Sequence, residues 1–189
     1  MKKYWKLMVI AVIKSVSIGA CLLFFLSCHG DSARELVLFD FESDSELDQL
    51  QWKCHTLLSL SKEHYTHGKK SLKMELYPSS YPGLTPMFKE NDWSGYSKLC
   101  FDIYNPQDEV QISLRIDDQK AYPDYEDRYN KSFILESGMN RMSIPFDTLV
   151  TSGTNRNLNL KKIQRLLIFM ANPKKKVVLY MDHIRLVDR

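Results

Sequence analysis

The chain has 189 residues, of which 26 are Lys or Arg and 23 are Asp or Glu, so its formal net charge is +3. Four of the lysines lie in residues 1–27, and the rest of the chain is nearly neutral, with 22 basic against 23 acidic side chains. Nucleic-acid binding needs a basic surface that neutralises phosphates, and this composition does not supply one. We therefore expect no nucleic-acid partner, and the length fits one domain with its own hydrophobic core.

The N-terminal segment 1–27 has the pattern of a signal peptide. Lysines precede an apolar run whose uninterrupted part, residues 15–27, is too short to cross a hydrocarbon core of about 30 Å. The run ends in Phe-Phe-Leu-Ser before Cys28, which resembles the lipobox of bacterial lipoproteins and makes Cys28 the predicted lipid-bearing residue. Two alternatives stay open, namely a lipobox that ends at Cys21 and an uncleaved membrane anchor.

This segment predicts the location of the protein. We expect a lipoprotein of the bacterial cell envelope that is anchored to a membrane through Cys28, with the folded domain outside the cytoplasm. Residues 28–35 are short and polar enough to be a flexible tether, and residues 36–189 form the predicted domain.

Alternating apolar and polar residues dominate the predicted domain, and this pattern is typical of strands with one buried face. Turn-forming residues around Gly68, Pro106 and Gly138 separate the alternating segments. Two further segments, 166–170 and 177–181, are continuously apolar and are predicted to lie in the middle of a sandwich. The alternating segments are 36–42, 71–76, 98–104, 110–116 and 142–146.

Helical patterns are confined to two short segments, 44–50 and 158–165, and neither could build a layer. The sequence therefore predicts an all-β fold, a two-sheet antiparallel jelly-roll sandwich whose first strand lies beside its last. Trp52 is predicted to be a core residue and Trp93 a rim residue. The other residues predicted to be buried are Phe41, Leu72, Phe101, Ile103, Leu114, Ile144, Leu167, Phe169 and Leu179.

Four motifs, in this order and spacing, resemble the galactose-binding-like jelly rolls: residues 39–42, 68–73, 93–106 and 179–186. The chain is most similar to the carbohydrate-binding modules of family eleven and the related domain of complex I intermediate-associated protein 30. The resemblance covers nearly the whole chain after the signal peptide. It implies a non-catalytic domain that binds a glycan or, alternatively, holds another envelope protein in an assembly role.

The resemblance also implies a structural Ca²⁺, which many members of this group hold between their first and last strands. The matching ligands here would be Glu42, the carbonyl groups of residues 68–70, and Asp182. His183 follows Asp182 where the group often has two consecutive acids, and lysines at 69 and 70 add positive charge. The presence of the ion is therefore left open.

The stretch 115–130 is the densest in polar and aromatic side chains, and strand alternation places Arg115 and Asp117 on the face opposite Leu114. An aromatic ring can cover the apolar face of a pyranose, while carboxylate and guanidinium groups make charge-assisted hydrogen bonds to its hydroxyls. We therefore predict a glycan-binding surface. Its predicted residues are Arg115, Asp117, Asp118, Tyr122, Tyr125, Arg128 and Tyr129.

The alternative interpretation of this stretch is structural. Ion pairs among Arg115, Asp117, Asp127 and Arg128 would fasten a long loop, and the tyrosines would cover it.

Catalytic motifs are lacking in the sequence, and we expect no enzymatic activity. Asp117 with Glu126 or Asp127 could be read as the two catalytic carboxylates of a glycosidase, but acids on a hairpin are more often hydrogen-bond or ion-pair partners. The five histidines show no zinc-like spacing. Cys54 and Cys100 could either form a disulfide in an exported compartment or remain buried thiols.

Overall fold

The computed structural model describes residues 34–51 and 54–188. The predicted signal peptide, Cys28, nearly all of the predicted tether and Trp52 lie outside these ranges. The strands are β1 Glu35–Phe39, β2 Leu50–Gln51, β3 Thr56–Ser61, β4 Ser71–Leu76, β5 Gly83–Pro86, β6 Lys98–Asn105, β7 Val110–Asp117, β8 Tyr129–Leu135, β9 Gly138–Pro145, β10 Arg165–Phe169 and β11 Val177–Val187. One α-helical turn, α1 Asp44–Leu47, and the 3₁₀ turns Tyr125–Asp127, Phe146–Thr148 and Leu160–Lys162 complete the described elements.

The described strands form two antiparallel sheets. The first sheet has the order β3-β4-β11-β6-β9, and β1 also pairs with β11. The second sheet has the order β2-β5-β10-β7-β8. This arrangement confirms the predicted all-β, two-sheet antiparallel jelly-roll sandwich. The predicted pairing of the first strand with the last is also confirmed, since Leu36 lies opposite Leu186 in an antiparallel register.

The core lies between the two sheets and follows from the period-two alternation. Ile112, Leu114 and Ile116 of β7 are 1 %, 0 % and 0 % exposed, and the residues between them point to the outer face of the second sheet. The remaining predicted core residues in β4, β6, β9 and β11 are buried as expected, as are Phe41 and Phe169. The same alternation therefore determines which side chains can form a surface site.

Two burial predictions are wrong. Leu167 is only partly buried, because β10 alternates like its neighbours, with Leu166 and Ile168 facing the core and Leu167 facing outward. Trp93 is fully buried rather than at the rim. Its ring packs 5.7 Å from that of Phe146, centroid to centroid, and its indole N–H donates to the carbonyl oxygen of Glu90.

The two predicted helical segments are single turns. Ser43 caps α1 through a reciprocal capping box with Glu46. Asn159 caps the turn Leu160–Lys162, its side chain accepting from the N–H of Lys161. In the part of the chain that the structure describes, no helix is long and apolar enough to span a membrane. Cys54 and Cys100 are free thiols.

Candidate functional site

A groove of about 600 Å³ lies on the outer face of the second sheet. β7 and β10 form its floor, because Arg115 lies opposite Leu167 in their antiparallel register and both side chains point outward. Apolar, aromatic and basic side chains dominate its walls. They include Met87, Phe88, Tyr122 and Arg165.

Arg115 lies at the centre of this face and is held by aromatic rings. Its guanidinium carbon is 5.2 Å from the ring centroid of Phe169 and 5.7 Å from that of Tyr125. The Nε atom is shielded from solvent and has no hydrogen-bond partner among the described residues. Burial, followed by the charge of Arg128, lowers the pKa of Arg115. The groove therefore presents a pre-oriented cation with unused hydrogen-bonding capacity.

Three exposed tyrosine rings lie near this cation, with Tyr122 lining the groove and Tyr81 and Tyr125 beside it. Tyr125 is 58 % exposed, and its hydroxyl accepts a hydrogen bond of 2.8 Å from the side-chain amide of Asn130. Tyr122 is 81 % exposed, and the guanidinium carbon of Arg165 lies 4.2 Å from its ring centroid. Tyr81, which sequence reasoning missed, packs edge-on against the ring of Phe169. Exposed aromatic rings fixed beside polar groups are the arrangement that stacks on sugar rings.

The predicted acidic members of the site are engaged elsewhere. Asp117 is 2 % exposed and forms an ion pair with Arg165, whose Nε lies 2.9 Å from Oδ2. Asp118 is also 2 % exposed and accepts hydrogen bonds of 2.8 Å and 3.0 Å from the guanidinium of Arg156. Arg156 also pairs with Asp127, at 2.9 Å. These ion pairs fasten the loops at one end of the second sheet.

The loop carboxylates therefore form structural ion pairs, as the alternative interpretation of the sequence proposed. Their partners differ from the proposed Arg115 and Arg128: Asp117 pairs with Arg165, and Asp127 pairs with Arg156. Arg128 instead donates through Nε to the carbonyl oxygen of Pro123, at 2.8 Å. Nothing in the local sequence identifies the true partners, since Arg156 lies 38 residues after Asp118 and Arg165 lies 48 residues after Asp117.

The prediction that Tyr129 presents an exposed ring is wrong. Tyr129 begins β8 rather than belonging to the preceding loop, and its register partner is the inward-facing Ile116. The side chain is 4 % exposed, and burial raises its pKa. Asn130, the next residue, takes the outward position beside Arg115. A stacking role for Tyr129 is thus excluded by its place in the core.

The residues proposed for Ca²⁺ are occupied by N–H donors. Oε1 of Glu42 accepts from the backbone N–H groups of Lys69 and Lys70, and Lys70 Nζ donates to the carbonyl oxygen of Glu42 at 3.0 Å. Oδ2 of Asp182 accepts from the N–H of Thr66 at 2.6 Å. A Cβ at Gly68, where φ is +62°, would overlap the Glu42 carboxylate.

These contacts do not fit a Ca²⁺ site, because N–H donors aimed at a carboxylate take the place of the cation. Within the described ranges, no group of three or more His, Cys, Asp or Glu side chains could hold a metal ion. The carboxylates instead fix the loop that precedes β4 to the segment after β1 and to β11.

The comparisons with known proteins assign the family. The model of the carbohydrate-binding domain of family 11 matches residues 28–187, and the chain belongs to this family. The comparison with curated proteins gives no match.

Two solved structures illustrate the fold. The family 11 carbohydrate-binding module from Clostridium thermocellum, in complex with a β-1,3-1,4-mixed-linked tetrasaccharide, aligns with a TM-score of 0.64 at 19 % identity and covers 82 % of this chain and 95 % of that one. An exo-β-agarase aligns with a TM-score of 0.67 at 19 % identity, over 81 % of this chain and 25 % of that enzyme. At this level of identity the two structures support the sandwich fold.

Proposed function

We propose that this chain is a non-catalytic glycan-binding domain, anchored through a lipid on Cys28 to a membrane of the bacterial cell envelope. The observation that carries the binding proposal is the set of exposed rings of Tyr81, Tyr122 and Tyr125 around the unpartnered Arg115. Membership of a carbohydrate-binding family supports the same proposal.

The groove can recognise a sugar through two kinds of contact. A tyrosine face can pack against the C–H groups of a pyranose, as aromatic rings do with other apolar surfaces. Arg115 and the side-chain oxygen of Asn130, which is also buried without a partner among the described residues, can bond the hydroxyl groups. The alternative of an assembly protein that binds another envelope protein gains no support from the family assignment.

The binding proposal is tested with Tyr125→Ala. We expect this substitution to weaken retention of the full chain on the polysaccharide it binds by about ten-fold or more, because an aromatic anchor at the centre of an interface is lost. The free energy of unfolding should change by less than about 0.5 kcal/mol, because the ring is largely exposed. Pull-down on mixed-linked glucan, agarose and polygalacturonate, beside a thermal melt, gives both quantities.

The matched control for that experiment is Tyr65→Ala. Tyr65 is 48 % exposed and lies in the loop before β4, on the other sheet. Its replacement should leave retention unchanged. Equal loss of retention in both variants, or none in Tyr125→Ala, would contradict a site in the groove.

The anchoring proposal is tested with Cys28→Ser. A serine hydroxyl cannot form the thioether that carries the diacylglycerol, so we expect metabolic fatty-acid labelling to disappear. The protein should then either leave the membrane fraction or accumulate as the precursor. Cys21→Ser is the matched control and should keep its label. Labelling that persists in Cys28→Ser and disappears in Cys21→Ser would contradict Cys28 as the lipid-bearing residue and assign the lipid to Cys21.

A further inference from the structure

The charges that line the groove are unbalanced. Arg115 and Arg165 both line it, and no described lining residue is acidic. Asp117 neutralises Arg165 through the ion pair between β7 and β10. Arg115 has no ion-pair partner among the described residues. The rings of Tyr125 and Phe169 lie beside its guanidinium, and the charge of Asp117, which is already paired with Arg165, also stabilises it. One full positive charge therefore faces the groove.

The surroundings of Arg115 add to this imbalance. The nearby Arg128 is close enough for its charge to lower the pKa of Arg115, and its Nε donates to a neutral carbonyl group. Two acids of the adjoining loop, Asp118 and Asp127, are both bound to Arg156. A guanidinium stays protonated in proteins, so the charge persists at every physiological pH.

We propose that the groove selects anionic glycans, and that Arg115 binds the carboxylate of a uronic acid or the sulfate group of a sulfated sugar. This inference rests on the proposed glycan-binding function and specifies its ligand class. The planar guanidinium can bind either anion through two parallel hydrogen bonds, and contacts with two rings hold it in position. A neutral sugar would offer no charge to match this guanidinium, whose Nε atom is already shielded from water and unpartnered among the described residues.

Asn130 supplies the complementary part of this site. It lies directly opposite Arg115 in the β7–β8 register, and its buried Oδ1 atom has no donor among the described residues. A sugar ring whose anion bonds Arg115 can offer a hydroxyl proton to this oxygen. Arg115 and Asn130 together can therefore bind a sugar whose acidic group and free hydroxyl group lie close together.

The experiment measures the affinity of the full chain, kept in mild detergent, for three polymers by affinity electrophoresis. Polygalacturonate carries carboxylates, κ-carrageenan carries sulfate esters, and mixed-linked β-1,3-1,4-glucan is neutral. We expect at least one anionic polymer to bind about ten-fold or more tightly than the neutral glucan. This preference should shrink as the ionic strength rises from about 0.01 to about 0.15 M. Preference for polygalacturonate assigns a carboxylate ligand, and preference for κ-carrageenan assigns a sulfate ligand.

Two variants connect the preference to Arg115. Arg115→Gln should remove the difference between the anionic and neutral polymers, whereas Arg115→Lys should keep a part of it because the charge remains. Arg141→Gln is the matched control, since Arg141 is exposed on β9 of the other sheet, and it should keep the full preference.

The contradictory outcomes separate this inference from the function on which it rests. Neutral glucan bound as tightly as either anionic polymer would overturn the anionic preference and leave the glycan-binding function in place. An anionic preference that survives in Arg115→Gln would also overturn the inference. Failure to bind any of the three polymers would overturn the inference, and failure to bind agarose as well would contradict both proposals.

Discussion

Replacing Asp118 by alanine is expected to lower the free energy of unfolding by about 3 kcal/mol at neutral pH, because the substitution leaves Arg156 without its main partner. Asp118 is nearly inaccessible and binds both terminal nitrogens of Arg156 as well as the backbone N–H of Asn159. Breaking a buried ion pair costs about 3–5 kcal/mol, and the partial exposure of Arg156 places this pair at the lower end.

The effect of Asp118→Ala should depend on pH. Burial tends to raise the pKa of Asp118, but the hydrogen bonds from Arg156 and Asn159 outweigh it, so the pKa is lower than in the unfolded chain. A carboxyl group of this kind stabilises the fold above its unfolded pKa of about 4, and the contribution is lost as the pH falls through the folded value. The difference between wild type and variant should therefore shrink in acid.

Denaturant titrations at neutral and acidic pH measure both effects. Asp147→Ala is the control, because Asp147 is exposed and should cost less than about 0.5 kcal/mol. A loss of under about 1 kcal/mol in Asp118→Ala, or a loss that grows in acid, would contradict the structural role of this ion pair.

Replacing Phe101 by alanine is expected to cost about 3–5 kcal/mol, because the ring is fully buried between the sheets and its removal leaves a cavity. Phe101 lies in β6, between β11 and β9, where the surrounding strands cannot easily collapse into the space. Ile134→Ala provides the comparison, since Ile134 is 51 % exposed on β8 and should cost less than about 1 kcal/mol. Equal losses in a denaturant titration would show that Phe101 is not a core residue.

The fold could be predicted because the alternation of apolar and polar residues within each strand is a local sequence pattern. Alternation in β4, β6 and β7 fixes which residues face inward, and the observed bounds of β4 match the predicted segment. The strands β2, β3, β5 and β8 were missed. β8 is an edge strand, so its sequence from Tyr129 to Leu135 carries exposed polar residues and lacks a strong apolar pattern.

The part of the site that could be predicted also depends on local sequence patterns. Tyr122 and Tyr125 lie within one short loop, and local composition identifies them as exposed rings beside Arg115. Missing β8 placed Tyr129 in that loop, although a strand that starts there turns its ring into the core. Tyr81 enters the site by packing against Phe169, 88 positions further along the chain, and no local pattern reveals such a contact.

An NMR titration tests the central claim most directly. The full chain is titrated with an oligosaccharide cut from the polysaccharide that retains it best, and amide shifts are mapped onto the two sheets. We expect the largest shifts at Arg115, Tyr125 and Leu167, on the outer face of the second sheet. Shifts confined to the outer face of the first sheet, around the exposed Leu57, would contradict the groove as the glycan-binding site.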